Sequence, residues 1–108
     1  MASFPYLDFF TMINCMASYY HPNSAKAFRC MFETAFEMIP ANDQLKAVLY
    51  EAIQHHPLLD SDLENNQTLL QWCYQINSYV HRQLYNAPYM DYSKFKDRYD
   101  QAKINMSM

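Results

Sequence analysis

The sequence predicts an all-α protein, a compact bundle of four to five helices, and three observations support this fold class. Glycine is absent from the 108 residues, which disfavours the tight hairpin turns and phosphate-binding loops that need positive φ. No stretch has the sustained period-two alternation that is typical of half-buried strands. Hydrophobic residues make up 51% of the chain, and most recur at spacings of three and four, as on the buried face of a helix.

Length and charge indicate one domain with no obvious electrostatic partner. A chain of 108 residues buries roughly two thirds of its unfolded surface, so a single domain over 1–108 with its own core is expected. The formal charge of −3 is too small to indicate a nucleic acid or a membrane by its field alone. Charge is uneven, because residues 1–66 contain three basic and eight acidic groups while residues 67–108 contain five and three.

The first predicted helix, about residues 4–20, is the most apolar stretch of the chain. Its polar side chains, at positions 8, 11, 14 and 18, fall within about a third of the circumference. Such a helix is either the centre of a bundle or half of an interface with another chain. Each of the later helices has an apolar stripe on one side that must pack against another element, so we expect helix one to be the central element. In that arrangement Tyr19 and Tyr20 remain available to a partner, while the chain buries Phe9, Phe10, Ile13 and Met16.

Proline and capping signals bound the next three helices. Asn23 or Ser24 caps helix two, which runs to about residue 39 with Arg29 and Glu33 paired on its wet face, and helix three spans about 43–55. The capping box Ser61-x-x-Glu64 predicts the start of helix four, which then runs to about residue 86. The predicted inward stripes are Phe28, Met31, Phe32, Ala35, Met38 and Ile39 on helix two, Leu45, Val48, Leu49, Ala52 and Ile53 on helix three, and Leu69, Trp72, Cys73, Ile76, Val80 and Leu84 on helix four.

The last helix, about residues 91–106, has a thin apolar stripe on an otherwise charged surface. A stripe this narrow favours an interface with a partner, although the same aromatic residues can instead pack within the chain. We therefore predict that residues 4–86 form the bundle, and that truncation at Asn86 leaves a folded chain that no longer binds. The residues predicted to contact a partner through this helix are Tyr92, Phe95 and Tyr99 as anchors, with Lys94, Lys96, Arg98 and Lys103 steering the encounter.

No motif indicates a metal, a cofactor or catalysis. His55 and His56 are adjacent and point about 100° apart on a helix, and no His-x-x-x-His or Glu-x-x-His spacing occurs. The three cysteines, Cys15, Cys30 and Cys73, are scattered and form no CxxC pair, as expected of reduced thiols in a cytoplasmic protein. The sequence therefore predicts no metal site, no cofactor and no enzymatic activity.

The N-terminus has no signal or membrane character. It lacks a basic region before its apolar residues, and the apolar segment is too short and too polar on one side to span a bilayer. Together with the reduced thiols, this predicts a cytoplasmic protein.

Three functional hypotheses follow. The leading one is a non-enzymatic protein-binding module that acts as a stoichiometric inhibitor or regulator of a larger host complex, with a homodimer as a further option. In its overall character the chain resembles small accessory proteins of phages and plasmids, of which anti-CRISPR and other defence antagonists are examples. The alternatives are a nucleic-acid-associated regulator that uses the basic C-terminal helix, and a small helical enzyme with an unrecognised site.

Overall fold

The protein, in a computed structural model, is a bundle of five α-helices, which confirms the predicted fold class. The structure describes the backbone of residues 6–107 and the side chains of residues 6–100, so the predicted start of helix one at residue 4 lies outside the described part. No strand occurs within it. The helices are α1 Tyr6–Ser18, α2 Ala25–Met38, α3 Gln44–His55, α4 Asn66–Tyr85 and α5 Tyr92–Ser107, with 3₁₀ turns at Pro22–Ser24 and Asp60–Leu63.

Helix α4 packs against the largest number of neighbours. Close packing joins it to α1, α3 and α5, and α1 in turn packs against α5. Helix α1 buries Phe9, Phe10 and Ile13, as predicted, but its opposite side is exposed. Met16 is 45% exposed, so its predicted burial is wrong; α1 lies beside α4 and is not enclosed by the other helices.

Side-chain hydrogen bonds fix where α3 and α4 begin. Asp43 caps α3 by accepting a hydrogen bond from the backbone N–H of Leu45 at 2.8 Å. Asn65 and Thr68 cap α4 reciprocally, because each side chain accepts from the backbone N–H of the other, at 2.9 and 3.2 Å. The capping box expected at Ser61 is therefore wrong: residues 60–63 form a separate 3₁₀ turn before the helix.

A left-handed asparagine ends α4. Asn86 has φ 52° and ψ 41°, and it is the one positive-φ residue among those described. Its backbone N–H donates to the carbonyl of Arg82 at 2.8 Å. Asparagine is the residue that most readily replaces glycine in this conformation, so a glycine-free chain can still end a helix in the usual way.

Helix α5 is part of the core. Phe95 is fully buried and Tyr99 is 5% exposed, and the phenol of Tyr74 on α4 donates to the carbonyl of Met90 just before α5. The ring of Phe95 lies 5.3 Å from that of Tyr74 and 4.9 Å from that of Tyr99. The thin apolar stripe of α5 therefore packs against α4 and α1 of the same chain. This is the second of the two alternatives that the sequence left open for this helix.

Helix α2 is held to the rest of the bundle by long side chains. The ring of Phe32 meets that of Trp72 at 5.4 Å, and Arg29 bonds to the carboxylate of Asp60 at 3.1 Å instead of pairing with Glu33 as predicted. Met38, predicted to face inward, is 74% exposed, because Ile39 occupies the core at that end of the helix.

Candidate functional site

The exposed side of α1 carries several large apolar side chains. Leu7 is 72% exposed, and the side chains of Met12, Met16 and Tyr19 are 40–45% exposed. Exposed large apolar side chains are ordinary when they occur singly, but a row along one helix indicates an interaction site. We call this surface the α1 face; it consists of Leu7, Asp8, Thr11, Met12, Met16 and Tyr19, of which only Asp8 is charged.

Buried polar residues explain why the α1 face is apolar. Asn14 and Ser18, two of the four residues on the polar arc of helix one, are buried. The Asn14 amide bonds to the amide of Asn77 and donates to the phenol of Tyr99 at 3.0 Å, and the Ser18 hydroxyl donates to the carbonyl of Cys15 at 2.7 Å. Because these partners satisfy the polar groups inside the bundle, the helix turns apolar residues toward solvent.

A groove continues the α1 face toward α2. It lies where α1 ends and α2 begins, and its volume is about 370 Å³. The phenol of Tyr20 forms part of its wall and is fixed by donating to the carbonyl of Leu63 at 2.8 Å. We call it the α1–α2 groove, and its lining residues are Cys15, Met16, Tyr19, Tyr20, His21, Ser24, Ala27 and Phe28.

Helix α2 contributes an uncharged strip on the far side of this groove. At about 100° per residue, five uncharged residues share an arc of about 100°. Ala27, the first of them, also lines the groove, so the strip and the α1 face meet there. Met31 is half-buried and the other four are exposed: Ala27, Cys30, Thr34 and Met38. Flexible methionines are frequent on surfaces that adapt to a partner.

The aromatic residues predicted as partner contacts separate into accessible and buried ones. Tyr19 is exposed on the α1 face, and Tyr92 is half-buried. Tyr20, Phe95 and Tyr99 lie in the core, so a partner cannot reach them while the bundle is folded. The sequence reasoning missed the exposed methionines, because periodicity alone does not tell which apolar arc of a helix is turned inward.

The basic residues of α5 do not form a continuous positive patch. Lys94 and Arg98 are exposed one turn apart, with the acidic Asp97 also exposed between them. Lys96 forms an ion pair with Asp100 at 2.7 Å, and this hydrogen bond raises the pKa of the Lys96 ammonium. The side chain of Lys103 lies outside the described residues. Partial neutralisation weakens the field that a nucleic-acid contact needs.

The described histidines and cysteines form no arrangement that suggests chemistry. Across residues 6–100, no three His, Cys, Asp or Glu side chains are close enough together to hold a metal ion. The rings of His55 and His81 instead pack beside tyrosines, at 5.2 Å from Tyr79 and 4.9 Å from Tyr85. Burial raises the pKa of the Cys73 thiol, which disfavours the thiolate that a nucleophile requires.

Comparisons with known proteins give no match for this chain. No protein-family model matches it, and neither a curated protein nor a solved structure is significantly similar to it. None of the helices in the described part has the length and apolar character that crossing a membrane requires.

Proposed function

We propose that the chain is a non-enzymatic protein-binding module, and that its binding surface is the α1 face with the α1–α2 groove. The observation that carries the proposal is the row of exposed apolar side chains Met12, Met16 and Tyr19, each about one turn from the next, which continues into the α1–α2 groove. A row of this kind is costly to leave in water and is typical of interaction sites. The three free thiols fit a reducing compartment such as the cytoplasm.

The shape of the surface favours an amphipathic helix of a larger protein as the occupant. The row of Met12, Met16 and Tyr19 extends over the seven residues that follow Met12, which is about 10 Å or two helical turns. Helix-in-groove recognition places apolar anchors of the guest every three or four residues along such a surface. The groove beside Met16 and Tyr19 has room for one large anchor side chain at the end of this row.

Charge gives the guest helix a preferred polar face. Asp8 lies at the N-terminal end of the α1 face and is its one charged residue. A guest helix with a basic residue beside its apolar stripe at that end is complementary to this charge, which increases its association rate and its specificity.

Binding on this surface has a steric consequence. A rigid bundle that occupies an amphipathic helix of a larger complex prevents that helix from reaching its own partner. The chain would then act stoichiometrically, as an inhibitor or regulator, in the manner of the phage and plasmid accessory proteins that it resembles.

The experiment compares capture of partners by the wild type and by matched variants. Met12→Glu combined with Met16→Glu places two carboxylates on the α1 face, at positions that are each 45% exposed. Tyr50→Glu is the control, because Tyr50 is a similarly exposed large residue on α3. Each tagged protein is incubated with extract of its source cell, and bound proteins are quantified by mass spectrometry.

We expect the wild type and Tyr50→Glu to capture the same amount of one host protein, and the double variant to capture about tenfold less of it. Equal capture by all three proteins contradicts the proposal. Light scattering of the purified wild type tests whether a second copy of the chain occupies the α1 face instead. If the wild type is a dimer and the double variant is a monomer, the α1 face binds a second copy, and the proposal of a helix from a host protein is wrong.

A further inference from the structure

A second concavity lies on the opposite side of α2, against α3 and α4. Its volume is about 260 Å³, which is below the range of drug-sized pockets and matches a single large side chain or a small molecule. We call it the α2–α3 pocket. Its lining combines apolar residues with charged ones: Phe32, Phe36, Ile53, Leu58, Trp72, Arg29, Glu33 and Glu37.

Aromatic rings form much of the wall of this pocket. Phe32 and Trp72 meet edge to face at 5.4 Å, and the indole N–H of Trp72 donates to the carbonyl of His56 at 2.8 Å, which fixes the indole ring. The ammonium of Lys46 already lies 5.2 Å from the centroid of the Phe36 ring. A cation at this distance from an aromatic face is attracted by the ring quadrupole, so one ring of the wall already contacts a positive charge of the chain itself.

Two carboxylates at the mouth lack a cationic partner. Glu33 and Glu37 are exposed one turn apart on α2, where like charges repel by a few tenths of a kcal/mol. In the described part of the chain the ion pairs are Arg29–Asp60 and Lys96–Asp100, and neither involves these glutamates.

The basic residues near the pocket are engaged elsewhere. Arg29, which lies one turn before Glu33, is held by the carboxylate of Asp60 at 3.1 Å and by the carbonyl of Leu58 at 3.3 Å. Two acidic side chains and one basic side chain line the pocket: Glu33, Glu37 and Arg29. The lining is therefore net negative, which favours a cation over an anion or a neutral ligand.

We propose that the α2–α3 pocket binds an organic monocation, an ammonium group on a short apolar stem. The stem lies against Phe32 and Trp72, and the ammonium group lies between the Phe36 ring and the carboxylates of Glu33 and Glu37. Two sources have this chemistry: a free alkylated amine, and a lysine side chain of a protein. The pocket is separate from the α1 face, so this site does not depend on the function proposed above.

Trp72 provides the readout, because it is the one tryptophan of the chain and it lines the pocket. The full-length protein is titrated at constant ionic strength with benzyltrimethylammonium chloride, and tryptophan fluorescence is followed together with amide chemical shifts. Benzyl alcohol is the neutral control ligand, and sodium chloride controls for salt. Nα-acetyl-lysine methylamide and its trimethylated form test the lysine source in parallel.

We expect the cation to cause saturable changes in Trp72 fluorescence and in the amide chemical shifts of α2. Benzyl alcohol should bind at least threefold more weakly. Glu33→Gln combined with Glu37→Gln should weaken cation binding by about threefold or more, and so should Phe36→Leu. Glu64→Gln, which removes an exposed carboxylate elsewhere, should leave it unchanged. Circular dichroism confirms that each variant is folded.

The relative affinity of the lysine derivatives and the free amine distinguishes the two sources. The absence of a saturable Trp72 response to every cation overturns the proposal. So does benzyl alcohol binding as tightly as benzyltrimethylammonium, or a loss of binding in Glu64→Gln equal to that in the Glu33 and Glu37 variant.

Discussion

The side-chain amides of Asn14 on α1 and Asn77 on α4 bond reciprocally in the core, with nitrogen–oxygen distances of 3.4 and 3.2 Å. Asn14 also donates to the phenol of Tyr99 on α5, and Asn77 donates to the carbonyl of Cys73. Three helices are therefore joined by one buried polar network, and every buried polar side-chain atom in the described part has a partner. A satisfied network of this kind specifies the relative rotation of the helices.

The first prediction concerns this network. Asn14→Ala removes the partner of Asn77 and Tyr99, and it should lower the free energy of unfolding by about 2 kcal/mol, because the remaining buried groups lose their hydrogen bonds. Urea unfolding followed by circular dichroism measures it. Asn77→Ala and the double variant complete the cycle, and we expect a coupling of about 1 kcal/mol. Strictly additive losses would mean that the two amides do not stabilise each other.

The second prediction distinguishes the two candidate caps of α4. Asn65→Ala should lower the free energy of unfolding by about 1 kcal/mol, because it leaves the backbone N–H of Thr68 without its acceptor. Ser61→Ala is the control at the cap that the sequence predicts, and it should change stability by less than about 0.5 kcal/mol. If the loss occurs at Ser61 and not at Asn65, α4 begins earlier than the structure has it.

The third prediction concerns alkaline pH. Burial and the nearby phenol of Tyr99 raise the pKa of Tyr89 to about 12, and burial with the phenols of Tyr89 and Tyr85 raises the pKa of Tyr6 as well. The ordinary tyrosine pKa is 10.0. Between these values the unfolded chain loses protons that the folded chain keeps. Burial raises the pKa of the Cys73 thiol above its ordinary 9.0 in the same sense, so the free energy of unfolding should fall from about pH 9 upward.

Urea unfolding at several pH values between 8 and about 11.5 measures this dependence, and tyrosinate absorbance follows ionisation. Tyr89→Phe removes one titrating group and should make the decline shallower. Tyr50→Phe is the matched control, because Tyr50 is exposed on α3, and its decline should match that of the wild type. An unchanged slope in Tyr89→Phe would contradict the assignment of the shift to this residue.

The fourth prediction concerns removal of α5. A chain that ends at Asn86 loses Phe95 and Tyr99 from the core, and each such buried aromatic contributes about 2–3 kcal/mol. The loss approaches the whole stability of a small domain, so this truncation should produce a chain without a cooperative thermal transition. Differential scanning calorimetry measures it. A sharp transition near that of the full chain would restore α5 to the role of a detachable interface helix.

The limits of sequence reasoning are clearest in α1 and α5. The period of three and four located all five helices, and it identified Phe9, Ile13 and the inward stripe of α4, because most core residues are apolar. It could not reveal that Asn14 is buried, since that depends on Asn77 and Tyr99, which are distant in the sequence. Once the polar network fixes the rotation of α1 about its axis, Met12 and Met16 face solvent. The candidate site therefore lies on a side of α1 that the helical spacing of apolar residues alone would assign to the core.

Dependence on distant packing partners also explains why some predicted site residues are exposed and others are buried. A narrow stripe on a charged helix is compatible with a partner chain and with the chain's own core. Here the close neighbours of Phe95, on α4 and in α5 itself, decided in favour of the core. Exposed methionines have no sequence motif, so only the packed structure identifies which methionines face solvent.

Site-specific photocrosslinking tests most directly the claim that the α1 face is the binding surface. A benzophenone amino acid is placed at Met16 on the α1 face or at Lys94 on the exposed side of α5, and each protein is irradiated in extract of its source cell. We expect a discrete adduct with one host protein from position 16, absent after Met12→Glu, and no such adduct from position 94. An adduct from position 94 alone would contradict this claim and move the interface to α5.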